Sequence, residues 1–92
     1  MTTAIVRHIL VKHKDQAEKL KQQIAKGADF GQMAKKHSIC PSKRRGGDLG
    51  EVRKGDMVKP FEDVVFKKPT NVVHGPVKTR FGYHLIETVF RG

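Results

Sequence analysis

Gly75-Pro76-Val77-Lys78-Thr79-Arg80-Phe81-Gly82-Tyr83-His84-Leu85-Ile86 is the stretch on which the reading of the fold turns. Its opening Gly-Pro reads as a turn into a new strand, and a second turn follows around Arg80 to Gly82. Tyr83 to Phe90 then carries the aromatic and β-branched residues of a strand. Side chains alternate along a strand, so His84 points to the same face as Ile86. An imidazole on an apolar face needs a partner or a task. By itself the stretch reads as a core histidine bonded to the Thr79 hydroxyl or to a backbone carbonyl.

Working outward, Ala4 to Val11 (Ala-Ile-Val-Arg-His-Ile-Leu-Val) is a nearly continuous apolar run. Its length and β-branching predict a buried central strand. His8 shares a face with Val6 and Leu10, a second imidazole embedded in a core strand. Asp15 to Lys26 is predicted as a helix, with Ala17, Leu20 and Ile24 forming its apolar stripe. Gly27 suits its close. Asp29 reads as the N-cap of a second helix, with Gln32 placed as in a capping box. Phe30, Met33, Ala34 and His37 give that helix an inner face, and Lys35 and Lys36 point outward.

Pro41 then stops helical continuation and biases Cys40 away from helical angles. Lys43 to Gly47 is predicted as a mobile basic loop, and Gly46-Gly47-Asp48-Leu49-Gly50 as a segment with special backbone angles. A phosphate-cradling loop is discounted, because the Lys-Ser or Lys-Thr ending and the following helix are missing. A short strand and a turn-rich connector over Val52 to Asp56 lead to a third helix, with Pro60 in its first turn. Phe61, Val64 and Val65 make its apolar face. Lys68 to Asn71 ends it, and Val72-Val73-His74 leads into Gly75. The order strand, helix, helix, loop, short strand, helix, strand, strand is α+β, a mainly antiparallel sheet with helices packed on it.

Composition fits one domain over residues 1–92 with a modest core: 37% of residues are hydrophobic and 30% are charged. No apolar stretch approaches the ~20 residues of a membrane helix. A single cysteine, Cys40, excludes an internal disulfide and fits a reducing compartment. With no apolar leader at the start of the sequence, the expectation is a cytoplasmic protein, monomeric by default and without a membrane partner. The net charge of +10 permits weak electrostatic association with nucleic acid or ribosomes. Few aromatic residues interleave with the bases, so no stacking platform for single strands is evident.

Taken together and in order, several segments resemble a parvulin: Ala4 to Val11 with His8, Gly27-Ala28-Asp29-Phe30, Ser38 to Cys40, Gly46 to Gly50, Met57 with Phe61, and Gly75 to Ile86. Parvulins are peptidyl-prolyl cis-trans isomerases (rotamases) that assist protein folding, and the resemblance covers essentially the whole chain. It implies the parvulin, FKBP-like fold: a four-stranded, mainly antiparallel sheet surrounded by three to four helices. It implies that His8 and His84 lie together beneath a cleft, in a hydrogen-bond network with Thr79 and Cys40, so that His8, Cys40, Thr79 and His84 are the catalytic candidates. Leu49, Met57 and Phe61 correspond to the apolar pocket for the substrate proline ring, and Phe81 and Ile39 border it. No cofactor or metal is implied. The partners implied are proline-containing peptides and unfolded or folding proteins.

Within the family, some members carry a basic loop after the first strand that reads phosphoserine or phosphothreonine before proline. Here Lys12-His13-Lys14-Asp15 runs directly into the helix, without an arginine cluster. The expectation is an isomerase without phosphate requirement that tolerates apolar residues before proline. Two other classes stand beside it: a chaperone-like module that binds unfolded chains with little turnover, and a basic nucleic-acid or ribosome partner. A cysteine protease would use the same residue types, but the chain is small and has no recognisable oxyanion-hole motif.

Overall fold

In the computed structural model, which describes residues 3–92, strands and helices follow the expected order. Strand β1 is Thr3–Val11, helix α1 Lys14–Ala25 and helix α2 Phe30–His37. A 3₁₀ turn, Pro41–Arg45, precedes strand β2, Asp48–Arg53. Helix α3, Lys59–Lys67, and strands β3, Val73–Thr79, and β4, Gly82–Arg91, complete the chain. The sheet order is β2-β1-β4-β3 and every neighbouring pair is antiparallel. The strands that carry His8 and His84 are therefore both central.

Alternation along β1 and β4 divides the core. Ile9, Val11 and Leu85 face one side, where Ala17 and Leu20 of α1 and Phe30 and Ala34 of α2 cover them. Ala4, Val6 and Ile86 face the other, beneath Phe61, Val64 and Val65 of α3. Helix α3 covers only part of its face, and the end of the sheet carrying His8 and His84 is left open as a cleft. The N-cap and helix-close expectations translate into bonds, while the return bond from the Gln32 side chain that a capping box needs is absent among the described residues. The Asp29 carboxylate accepts from the Gln32 N–H (2.9 Å). After α1, the Ala28 N–H donates back to the Gln23 carbonyl (2.9 Å) and the Gly27 N–H to that of Ile24 (3.0 Å), closing the helix as a Schellman turn.

Some boundaries differ from expectation. Helix α1 starts at Lys14, one residue early. Lys43 to Gly47 is not a loose loop: Pro41 opens a 3₁₀ turn, the Gly47 N–H donates to the Ser42 carbonyl (2.9 Å), and the Gly47 carbonyl accepts from the His8 N–H (2.9 Å). The expected connector at Val52 is strand, with Val52 buried. Gly75-Pro76 lies inside β3 rather than in a turn before it. The ladder to β4 shifts register between His74 and Val77, and this irregularity accommodates a proline that cannot donate to the ladder. A side chain at Gly75 would run into the His84 carbonyl oxygen, so the close approach of β3 to β4 requires glycine there.

Gly47 is a second such position. It has φ +88°, and a Cβ there would collide with the His8 carbonyl oxygen, which is backbone and cannot move aside. Gly27 also has a positive φ, +111°, but nothing lies within 4 Å of its missing Cβ. The two sites separate conformational cost from collision. Gly27→Ala should destabilise the fold by about 1 kcal/mol, and Gly47→Ala by about 3 kcal/mol or more. Urea unfolding of the two variants checks this, and equal losses would show that the β1 contact at Gly47 does not constrain the fold.

Candidate active site

The cleft has a volume of about 410 Å³ and is lined by His8, Leu10, Ile39, Cys40, Pro41, Leu49, Met57, Phe81 and His84. Strands β1 and β4 supply its floor. The segment between α2 and the 3₁₀ turn supplies one lip, and the tip of the β3–β4 hairpin the other. Ile39 on the first lip and Phe81 on the second are 48% and 54% exposed, unusual for large apolar side chains flanking one opening.

On the floor, His8 and His84 are both buried, and their Nδ1 atoms lie 3.0 Å apart. The rings stack with centroids 5.2 Å apart. Phe61 stands edge-on to both, 5.5 Å from His8 and 5.2 Å from His84. Thr79 Oγ1 lies 2.7 Å from His84 Nε2 and accepts from the Phe81 N–H at 3.1 Å. A polar chain thus runs from the hairpin tip through Thr79 and His84 to His8, and ends at His8 Nε2, which is buried without a partner.

The geometry fixes the protonation logic. An Nδ1–Nδ1 contact needs one donor and one acceptor, so only one of the two Nδ1 atoms carries a proton. In one arrangement the Thr79 hydroxyl donates to His84 Nε2 and His84 Nδ1–H donates to His8. In the other His8 Nδ1–H donates to His84 and His84 Nε2–H donates to the Thr79 hydroxyl, while the Phe81 N–H still donates to Thr79. A proton added to the accepting ring sets two Nδ1–H groups against each other, whereas one added to the donating ring goes to its Nε2 and places a charge in the buried floor. Burial lowers both histidines from the usual value near 6.5 to about 4, and at His8 the charge of a protonated His84 adds to the effect.

The sequence-derived candidates distribute unevenly over this site. His8, Thr79 and His84 come together in one bonded chain. Cys40 lines the cleft but stands outside that chain: the expected hydrogen bond of its thiol to the network is absent among the described residues, and Cys40 is engaged through its backbone, its N–H donating to Ser38 Oγ at 3.3 Å and its carbonyl accepting from the Lys43 N–H at 2.9 Å. Leu49, Met57, Ile39 and Phe81 line the opening. Phe61 does not: it is fully buried and supports the histidine pair from below rather than facing the opening. The reason is that Phe61 lies on the buried apolar face of α3 with Val64 and Val65, and α3 packs against the sheet beside the cleft. Leu10 and Pro41 line the cleft and were not singled out. Alternation from His8 along β1 was the available signal for Leu10, whereas the place of Pro41 depends on the 3₁₀ turn. Among the described residues, no group of three or more His, Cys, Asp or Glu side chains is placed to hold a metal ion.

Comparison with known proteins agrees with this geometry. The family described as Rotamase: PPIC-type PPIASE domain matches residues 8–89. The foldase protein PrsA of Geobacillus sp. (strain WCH70) is 48% identical over 81 residues, covering 87% of this chain and 29% of that protein. The chaperone SurA of Legionella pneumophila (strain Lens) is 40% identical over 101 residues, covering 99% of this chain and 24% of SurA. The chain therefore spans less than a third of the curated relatives it matches. A solved structure of matching size is the parvulin of Nitrosopumilus maritimus, with a TM-score of 0.87, 38% identity and 98% of each chain covered. From the histidine-floored apolar cleft, the strand order and these matches together, the chain belongs to the PPIC-type rotamase family and has the parvulin fold.

Proposed function

We propose that the cleft grips the ring of a proline in an extended or unfolded segment, that the residue before it is preferably apolar, and that no phosphate is required. The observation that carries this reading is the lining itself. No lysine or arginine is among the residues that line the cleft, and its side chains are apolar apart from His8, His84 and Cys40. A proline ring suits Leu49, Met57 and Leu10, and methionine adapts to varied neighbours. The exposed Ile39 and Phe81 offer apolar contact to the flanking residue. After β1, helix α1 begins at Lys14, which pairs with Glu18 at 4.0 Å, so only Lys12 and His13 lie between strand and helix. The names of the relatives, foldase and chaperone, support folding chains as the substrate class. The proposal includes a cytoplasmic location, supported by a single cysteine that is a free thiol.

The chemistry asks little of the protein. The X-Pro bond is held by amide resonance with a barrier of ~18–20 kcal/mol. Placing the ring in an apolar cleft removes water from the preceding carbonyl, which disfavours the polar planar amide relative to the twisted one. Neutral imidazoles keep that environment free of charge, and the Thr79–His84–His8 chain holds them rigid. Cys40 tunes the polarity of the wall. Rotation breaks no bond, and the thiol has no bonded base among the described residues, so a covalent adduct is not part of the proposal.

Three outcomes follow. Cis-to-trans isomerisation of short peptides should be fastest for Leu-Pro, slower for Glu-Pro and no better for phospho-Ser-Pro; preferential turnover of the phosphopeptide would refute the specificity. Cys40→Ser should fold and keep its rate constant within about fivefold of wild type. Peptide binding retained with turnover abolished would return the thiol to a covalent role. The histidine pair sets a pH dependence. In the unfolded chain these imidazoles take up protons near pH 6.5, whereas in the folded chain they resist until about pH 4. Between those values the unfolded state binds more protons, so stability is complete above about pH 6.5 and falls as pH drops toward 4. The slope should reach about 1.4 kcal/mol per pH unit for each histidine. Urea unfolding between pH 7.5 and pH 4.5 measures it, and a flat profile would mean that the pair is not held neutral.

A further inference from the structure

We propose that Ser38 is a positioning residue for the isomerase: its hydroxyl holds the Ile39–Cys40–Pro41 lip against β1 and so sets the width of the cleft. The inference rests on the reading of that cleft as the isomerase site.

The β1–β2 ladder stops at Arg7, opposite Asp48. Beyond it, the edge of β1 that runs past His8 and Leu10 has no strand beside it. Three contacts fill this edge. The His8 N–H donates to the Gly47 carbonyl at 2.9 Å, the Ile39 N–H donates to the Leu10 carbonyl at 2.8 Å, and the Leu10 N–H donates to Ser38 Oγ at 3.0 Å. The first two are backbone bonds. The second is donated by the lip residue Ile39 itself; the third alone is made by a side chain, at the residue that joins α2 to the lip.

Ser38 makes this bond from a fixed seat. It follows the last residue of α2, its own N–H donates to the Ala34 carbonyl at 3.0 Å, and only 3% of its surface is exposed. Its oxygen accepts a second time, from the Cys40 N–H at 3.3 Å. One buried oxygen thus ties two backbone N–H groups, one on the cleft floor and one on the lip, to the end of a helix. Without it both donors lose their partner, Leu10 in the core and Cys40 at the rim. The lip residues Ile39, Cys40 and Pro41 all line the cleft. Ser38 itself does not, so its influence on substrate passes through them.

Alkylation of Cys40 by iodoacetamide under native conditions reads the order of the lip through the chain's single thiol. Ser38→Ala should raise the alkylation rate about fivefold to tenfold, the weight of one such hydrogen bond, and lower kcat/KM for Leu-Pro isomerisation by a similar factor. Thr88→Val is the control. It deletes a buried hydroxyl, bonded to the Val65 carbonyl at 3.4 Å, from beneath α3. It should lower Tm while leaving alkylation and kcat/KM unchanged. Alkylation rates that match in the two variants, with equal kcat/KM, would overturn the proposal and leave Ser38 a residue of the fold alone. If Ser38→Ala does not fold, amide exchange of Cys40 in the wild-type chain decides. Protection supports the proposal, and exchange at the rate of an unprotected amide overturns it. An inactive wild type would remove the isomerase reading, while alkylation and exchange would still decide separately whether Ser38 holds the lip.

Discussion

The contact between His8 and His84 is the constraint around which the rest is arranged. Two imidazole nitrogens 3.0 Å apart are tolerable only while one donates to the other, and burial keeps both rings neutral around pH 7. That requirement reaches outward in several directions. It needs β1 and β4 adjacent and antiparallel, so that Leu10 stands opposite His84 and His8 opposite Ile86. It needs Phe61 edge-on beneath both rings to keep water away. It needs Thr79, reached through the hairpin, to satisfy the far nitrogen of His84. Each supporting residue comes from a different element, which is why the site forms only in the folded chain.

The same arrangement explains the division of the sheet. One face is sealed by α1 and α2 over Ile9, Val11 and Leu85, and its work is cohesion. The other face is covered by α3 over only part of its length. What remains open is an apolar trough with a polar but uncharged floor. On the proposed reading, such a surface takes up a proline ring without assembling charge around the rotating bond. The lips depend on unusual backbone. The Gly47 approach to β1 and the Gly75 approach to β4 both leave no room for a Cβ, and they bring the two walls of the cleft within reach of each other.

Much of the fold was legible because its signals are local. Alternation placed His8 with Val6 and Leu10, and His84 with Ile86. Helical spacing placed Ala17, Leu20, Phe61, Val64 and Val65 inside. Asp29 announced the start of α2 through its own side chain. The misreadings share a cause. Pro41, Lys43 and the glycines look like loop residues by composition, yet they form a 3₁₀ turn because Gly47 bonds to β1, a partner distant in sequence. Gly75-Pro76 looks like a turn and is strand because β4 lies alongside to absorb the irregularity.

The sequence by itself determined the residue types of the site, the face on which each strand histidine lies, and, through the ordered resemblance to parvulins, the family. Those properties follow from period-two and helical spacing and from motif order, which need no knowledge of neighbours. Tertiary structure alone decided that the histidines meet through their Nδ1 atoms, that Phe61 supports the floor instead of lining the opening, that the Cys40 thiol stands outside the polar chain, and that Ser38 bridges α2, β1 and the lip. These are distances between residues far apart in the chain. Strand pairing and helix packing set them, and no local pattern encodes them.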